Sequence, residues 1–219
     1  MKIYALFGAG GFGREVMPVA RANLAAAGIR DYELVFVIEN LKETARINGH
    51  RVISDIDFLS CKADKKYFNI AIADSTTRER IANKMLAAGI VPFSIIAPSN
   101  IIYDESMIGE GAILCAFTIV TSNTRIGRFF HANIYSFVAH DCFIGDFVTF
   151  APSVHCNGRI TIEDYAYIGT GAVIKQGSDD KPMIIGKGST VGMGAVVTKS
   201  VFPFTTVIGN PAVELRKRI

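Results

Sequence analysis

From Ile96 to Ile174 every sixth residue is apolar. The series is Ile96, Ile102, Ile108, Leu114, Val120, Ile126, Ala132, Val138, Ile144, Phe150, Cys156, Ile162, Ile168 and Ile174. Neither the 3.6-residue repeat of a helix nor the two-residue alternation of a strand sustains this period. A parallel β-helix does: each hexapeptide forms one short face and one corner, and three hexapeptides close a triangular coil. An ordinary β-sandwich gives no reason for such an in-phase run. Glycine often follows the aliphatic residue, as at Gly109, Gly127, Gly145, Gly169, Gly186 and Gly192. We read these as corners, where glycine supplies backbone freedom that a Cβ would obstruct. Small residues recur three places further on, at Ala112, Ala166, Ala172, Ser189 and Ala195. The Ile-Gly pairs at 108, 126 and 144 are 18 residues apart and predict stacking on one edge. The phase slips once, between Gln176 and Met183, and resumes at Ile185, Val191 and Val197. That slip predicts an external loop over one corner.

The first third follows a different pattern. Lys2 to Phe7 reads as a strand, and Gly8, Gly10 and Gly13 fit G-x-G-x-x-G. A helix is expected from about Gly13 to Ala27, ended by Gly28, with Pro18 kinking or shortening it. Further strands are expected at Leu34 to Ile38, Val52-Ile53 and Phe68 to Ala73. Ser75 or Thr76 is the expected cap of a second helix running to about Ala88. Strands alternating with helices predict a parallel βαβ sheet, half a Rossmann unit in size. The chain thus divides into an α/β Rossmann-like domain, 1–92, and a β-helix domain with a C-terminal tail, 93–219. The glycine loop has two readings. It can bring backbone N–H groups and a helix N-terminus onto a pyrophosphate, or it is a tight packing turn.

Composition narrows the function. Half of the 219 residues are hydrophobic and a fifth are charged, which is globular. The net charge of +3 comes without a basic block, against a nucleic-acid footprint. No apolar run is long enough to span a membrane. The apolar start, Met1 to Phe7, runs straight into glycines and does not fit a signal peptide. The four cysteines show no CxxC spacing, and the set His131, His140, His155, Cys142 and Cys156 matches no zinc pattern. A reduced, cytoplasmic protein without a metal is expected.

The hexapeptide series, the mid-helix His140-Asp141, the Gly209-Asn210-Pro211-Ala212 exit and the run Gly8-Ala9-Gly10-Gly11-Phe12-Gly13-Arg14-Glu15-Val16 together resemble one family. It is the left-handed β-helix (hexapeptide-repeat) sugar acetyltransferases, which include the UDP-N-acetylbacillosamine N-acetyltransferases and the sialic acid O-acetyltransferases. The resemblance implies a homotrimer, acetyl-CoA as donor, an active site between neighbouring β-helices and a nucleotide sugar held by the N-terminal domain. It makes His140 the general base and Asp141 its acidic neighbour. Imidazole suits an acceptor that must lose a proton on attacking a thioester. It aligns Asn133 with an active-site asparagine, and Thr149 with a position that holds a second histidine in the bacillosamine enzyme.

Gly158, one coil after His140, is the candidate N–H donor for the developing oxyanion. Gly171, Ala172, Gly188 and Ala195 are expected to line the path of the pantetheine arm. Gly10, Gly11, Phe12, Gly13 and Arg14 are the candidate pyrophosphate loop. Glu39 and Asn40 fall near base or ribose, and Asp74 beside the same crevice. His131 and Thr149 should stack on adjacent coils, while His155 lines a coil face. His50 reads as a solvated loop residue. Lys199, Arg216, Lys217 and Arg218 either meet the CoA phosphates or form a solvated tail. The expected acceptor is a UDP-linked 4-amino sugar, with O-acetylation of a sialic acid or other sugar as the alternative. A nucleotide-binding trimer without catalysis and an NAD enzyme are the other classes. The His140-Asp141 pair argues against the first. The small first domain and the want of a hydride site argue against the second.

Overall fold

The computed structural model describes residues 1–41, 43 and 45–215. It divides into two compact units: 1–98 with 110–113, and 99–109 with 114–215.

The first unit runs β1 (Lys2–Phe7), α1 (Gly11–Ala26), β2 (Tyr32–Ile38), β3 (Ala45–Ile47), β4 (His50–Ser54), α2 (Asp55–Ser60), β5 (Lys65–Ile70), α3 (Ser75–Ala87) and β6 (Val91–Pro92). Its sheet has the order β3-β4-β2-β1-β5-β6, and only β3 pairs antiparallel. The central strand β1 is buried on both faces, which is why it is a continuous apolar run. Pro18 does not shorten α1: the helix continues past it to Ala26. Gly28 closes that helix at φ +67°, with its N–H on the Ala25 carbonyl and the Ile29 N–H on that of Leu24. This is the six-to-one, five-to-two pairing that favours glycine at the second position past the last helical turn. The helix expected to start at Ser75 or Thr76 is α3, and its cap is Asp74, whose Oδ1 accepts the Thr77 N–H at 2.7 Å. Among the elements that periodicity missed, β3 and β6 are too short to carry a pattern, and α2 is one and a half turns.

The second unit is the expected β-helix. Two-residue strands stack in register at 18-residue spacing: Ile119 on Phe137, Phe137 on His155, Ile126 on Ile144, His131 on Thr149. The inward column Val120, Val138, Cys156, Ile174 is fully buried. So are Ala166, Ala172, Ser189 and Ala195, which explains why that position is small.

The glycines after the aliphatic residues have a different reason from backbone freedom. Gly109, Gly127 and Gly145 are not in the left-handed region. A Cβ on them would lie 2.6, 2.4 and 2.4 Å from atoms of the next coil, so they permit close stacking. The left-handed corners are held mostly by larger residues: Phe117 and Tyr135; Asn123, Asp141 and Arg159; Phe129, Phe147 and Tyr165. Non-glycine residues in this region are uncommon, and ring stacking offsets the strain. Phe129 and Phe147 lie 5.4 Å apart and nearly parallel, and Phe147 and Tyr165 5.8 Å. The phase slip is a loop at the corner that carries Asp141 and Arg159. Gly177 N–H donates to the Gly158 carbonyl at 3.0 Å, and Met183–Ile185 rejoins the face beside Ile160–Ile162.

Candidate active site

His140 is the residue before the left-handed corner residue Asp141 (φ +58°). The turn folds the carboxylate back onto the preceding ring, with Asp141 Oδ2 2.7 Å from His140 Nδ1. Both side chains are open to solvent, at 45 % and 39 %. The hydrogen bond to His140 holds the Asp141 carboxyl below its ordinary value. An ionised carboxylate can only accept, so Nδ1 carries a proton, and in the neutral imidazole the lone pair is then on Nε2. The main chain fixes the pair from both sides. Asp141 N–H donates to the Ser122 carbonyl at 3.2 Å, and the His140 carbonyl accepts from Arg159 N–H at 3.0 Å.

Gly158 packs against the ring. A Cβ there would be 2.5 Å from both His140 Nε2 and Cε1, so only glycine leaves room for the imidazole. Its N–H has no acceptor among the described residues. A free donor beside the lone-pair nitrogen is the arrangement an oxyanion site requires.

Other expected residues are not beside this pair within the chain. Asn133 lies seven residues back, nearer the Tyr135 corner, and its Nδ2 donates to the Phe150 carbonyl at 2.8 Å. Thr149 is half a coil away on another face and is 4 % exposed. His131, stacked on it as expected, is fully buried. His155 is exposed on the face preceding the His140 corner, its ring 5.0 Å from that of Phe137. His50 is not a loop residue: it opens β4, its Nδ1 3.1 Å from the Leu34 carbonyl oxygen.

The four small residues expected along the pantetheine path do not form one groove. Ala172 and Ala195 are fully buried coil fillers. Gly171 (φ +68°) sits at the Tyr135 corner and Gly188 (φ +61°) at the Phe147 corner, because the loop insertion shifts the phase between them. The corner partner of Gly171 is Gly194, and a Cβ on either would meet nothing within 4 Å. Lys199 lines a cavity of about 500 Å³ with Lys175, Lys181 and Gly177, against the inserted loop. Arg216, Lys217 and Arg218 lie outside the described residues.

In the first unit the glycines separate by role. Gly13 is needed by packing, since a Cβ would sit 2.0 Å from the Gly8 carbonyl oxygen. Gly8 (φ +97°) is pressed against Ala71 and Ile72. Gly10 and Gly11 have nothing within 4 Å of a Cβ, so their smallness is not required by the protein's own packing. Gly10 caps α1 without a side-chain acceptor, which leaves the helix N-terminus open to an anion. Phe12 is half-buried in the first turn and Arg14 is exposed.

Glu39, at the end of β2, is clamped by Arg80 Nη1 and Nη2 at 2.8 and 2.5 Å, with Lys84 at 3.9 Å. The Arg80 hydrogen bond pulls its carboxyl below the ordinary range. Asn40 follows in a left-handed turn (φ +57°). The Asp74 carboxylate is occupied by Thr77 and, less strongly, Thr76, whose hydrogen bonds hold it below the ordinary range. Buried Arg78, which sequence reasoning passed over, donates to the carbonyls of Ile72 and Ala73 and braces the loop against Gly8.

Residues 4–85 match the family described as PglD N-terminal domain. GDP-perosamine N-acetyltransferase of Escherichia coli O157:H7 is 51% identical over 217 residues, covering 99% of this chain and 98% of that protein. The structure of WeeI from Acinetobacter baumannii AYE superposes with a TM-score of 0.94 at 52% identity, covering 98% of this chain and 100% of WeeI. The acetyltransferase domain of PglB from Neisseria gonorrhoeae FA1090, solved in complex with acetyl coenzyme A, gives 0.86 at 29% identity, covering 97% and 98%.

Proposed function

The chain belongs to the hexapeptide-repeat sugar N-acetyltransferases with a PglD-type N-terminal domain, and from that premise we propose that it acetylates the 4-amino group of GDP-perosamine. It is an acetyl-CoA-dependent N-acetyltransferase acting on a nucleotide-linked amino sugar. The guanine nucleotide and perosamine are preferred over a UDP-linked bacillosamine precursor because the near full-length 51% relative carries that name.

The observation that carries the chemistry is the 2.7 Å Nδ1–Oδ2 contact at an exposed corner, with Nε2 beside Gly158. The acceptor nitrogen attacks the thioester carbonyl and the N–C bond forms. His140 Nε2 takes the proton that the nitrogen loses, and Asp141 stabilises the resulting imidazolium. The Gly158 N–H receives the negative charge growing on the carbonyl oxygen. Collapse breaks the C–S bond, and His140 returns the proton to the CoA sulfur.

Gly10, Gly11 and Gly13 with the N-terminus of α1 hold the acceptor's diphosphate, Arg14 adds charge, and Glu39 and Asn40 flank the nucleoside. Phe12 in the first turn borders the same ligand. Lys199 and Lys175 meet the CoA phosphates. The assembly is a homotrimer in which Asn133 and Thr149 of one protomer serve the His140 of another. The exposed apolar side chains Ile101, Phe117, Tyr135 and Phe143 support that assembly.

The test is a product assay by mass spectrometry with acetyl-CoA and GDP-perosamine beside UDP-linked 4-amino sugars. The expected result is a CoA-dependent gain of one acetyl group on GDP-perosamine. Preference for a UDP-sugar, or acetylation of a hydroxyl, overturns the assignment. Light scattering that finds an active monomer overturns the trimer.

A further inference from the structure

The corner that carries Asp141 is a column of polar residues one coil apart: Asn123, Asp141 and Arg159, all left-handed at φ +60°, +58° and +56°. Asn123 Nδ2 donates to Asp141 Oδ1 at 3.3 Å, while the other carboxylate oxygen takes the His140 ring. The two oxygens of Asp141 are therefore divided between a coil below and the base itself. Arg159, one coil above, gives its main-chain N–H to the His140 carbonyl at 3.0 Å. Its guanidinium pairs with Asp179 of the inserted loop at 2.8 Å.

We propose that Asn123 and Arg159 are positioning residues for His140: Asn123 fixes the rotation of the Asp141 carboxylate, and Arg159 sets the charge around it. The proposal rests on His140 being the base. Without Asn123, the carboxylate can turn about its terminal torsion, which is broad, and the imidazole loses its fixed plane. Without the Arg159 cation, the corner becomes more negative and favours imidazolium over imidazole. The charged groups about the pair are Asp141 itself, Arg159 and Asp179 above, and Glu105 two coils below at the same corner. Cys142 follows with its thiol 3.7 Å from the His140 carbonyl. The positive charge of Arg159 adds to the hydrogen bonds that keep Asp141 ionised.

The test uses three full-length variants, Asn123→Asp, Asn123→Gly and Arg159→Gln, with folding checked by circular dichroism. Glycine suits the left-handed φ at position 123, so its loss of side chain does not strain the corner. The first readout is the titration of the His140 imidazole by NMR in the free enzyme, which is independent of the acceptor's own ammonium. Asn123→Asp puts a second carboxylate beside Asp141, and the midpoint should rise by about half a pH unit or more. Arg159→Gln should raise it by less. The second readout is steady-state kinetics: Asn123→Gly should lose kcat by roughly 3–30-fold with the acetyl-CoA KM unchanged, a positioning loss smaller than removal of the base. Unchanged midpoints together with wild-type kcat in Asn123→Gly overturn the proposal and reduce the column to corner packing. Shifted midpoints with undiminished kcat in His140→Ala would instead overturn the assignment of His140 as base.

Discussion

His140 occupies the space a side chain at Gly158 would fill: a Cβ on Gly158 would stand 2.5 Å from ring atoms Nε2 and Cε1. That contact sets Nε2 of the proposed base beside Gly158, one coil above, whose N–H has no acceptor among the described residues. Gly158→Ala should therefore push the imidazole off its place without opening a cavity. The expected result is a kcat loss of about 10²-fold or more, within the range for a displaced base, with little change in thermal midpoint. A wild-type kcat would show that the ring relaxes freely and that its position is unimportant.

Removal of the proposed base gives the reference point. His140→Ala should lower kcat by ~10²–10⁴-fold while acetyl-CoA binding, read by calorimetry, is retained. Asp141→Asn should cost less, because the amide still fixes the ring but no longer supports the imidazolium. The ascending limb of the kcat/KM pH profile should vanish in His140→Ala. An undiminished limb there would belong to the acceptor's ammonium.

The glycine loop offers a paired test. A Cβ on Gly11 meets nothing in the protein, whereas one on Gly13 lies 2.0 Å from the Gly8 carbonyl oxygen. Gly11→Val should leave folding almost intact and raise the KM of the nucleotide sugar far more than that of acetyl-CoA. Gly13→Ala should instead destabilise the fold by about 2 kcal/mol or more, as forced backbone clashes do. Equal effects of Gly11→Val on both substrates would make the loop structural.

Lys199 tests the donor end. Lys199→Ala removes one cation from the cavity it shares with Lys175 and Lys181. The acetyl-CoA KM should rise several-fold, more at low salt than at high, because exposed charge pairs are screened. The nucleotide-sugar KM should stay put. A change in the acceptor KM alone would move the donor site elsewhere.

Glu39 gives a pH signature of stability. Its folded pKa is depressed by Arg80, so its contribution is present above the ordinary Glu value and is lost as pH falls through the lower folded value. Arg80→Gln should abolish that depression. Acid unfolding followed by circular dichroism should then begin at higher pH in the variant, while the two proteins differ least at the acid extreme, where Glu39 is protonated in both states. Coincident acid transitions would show that the clamp is solvent-screened and adds nothing.

The sequence by itself determined the coil, because a six-residue apolar period has one geometric solution and a one-residue slip would expose the whole inward column. It placed His140 one coil from Gly158, and located the loop insertion by the break in phase. The same 18-residue rule, applied to polar residues, would have found the Asn123, Asp141, Arg159 column; Gly171 and Gly194, 23 residues apart, pair only once the loop insertion is allowed for. Tertiary structure alone decided which glycines make room and which are open. Gly13 and Gly11 look alike in sequence, and only the carbonyl of Gly8 tells them apart. It also decided which polar groups are already engaged: Asp74 by its own helix, Glu39 by Arg80 across 41 residues, the Asn133 amide by a carbonyl of the next coil. Periodicity fixes the direction in which a residue points, because backbone geometry repeats. What meets it there depends on chain segments far away in sequence, and that is settled only when they pack.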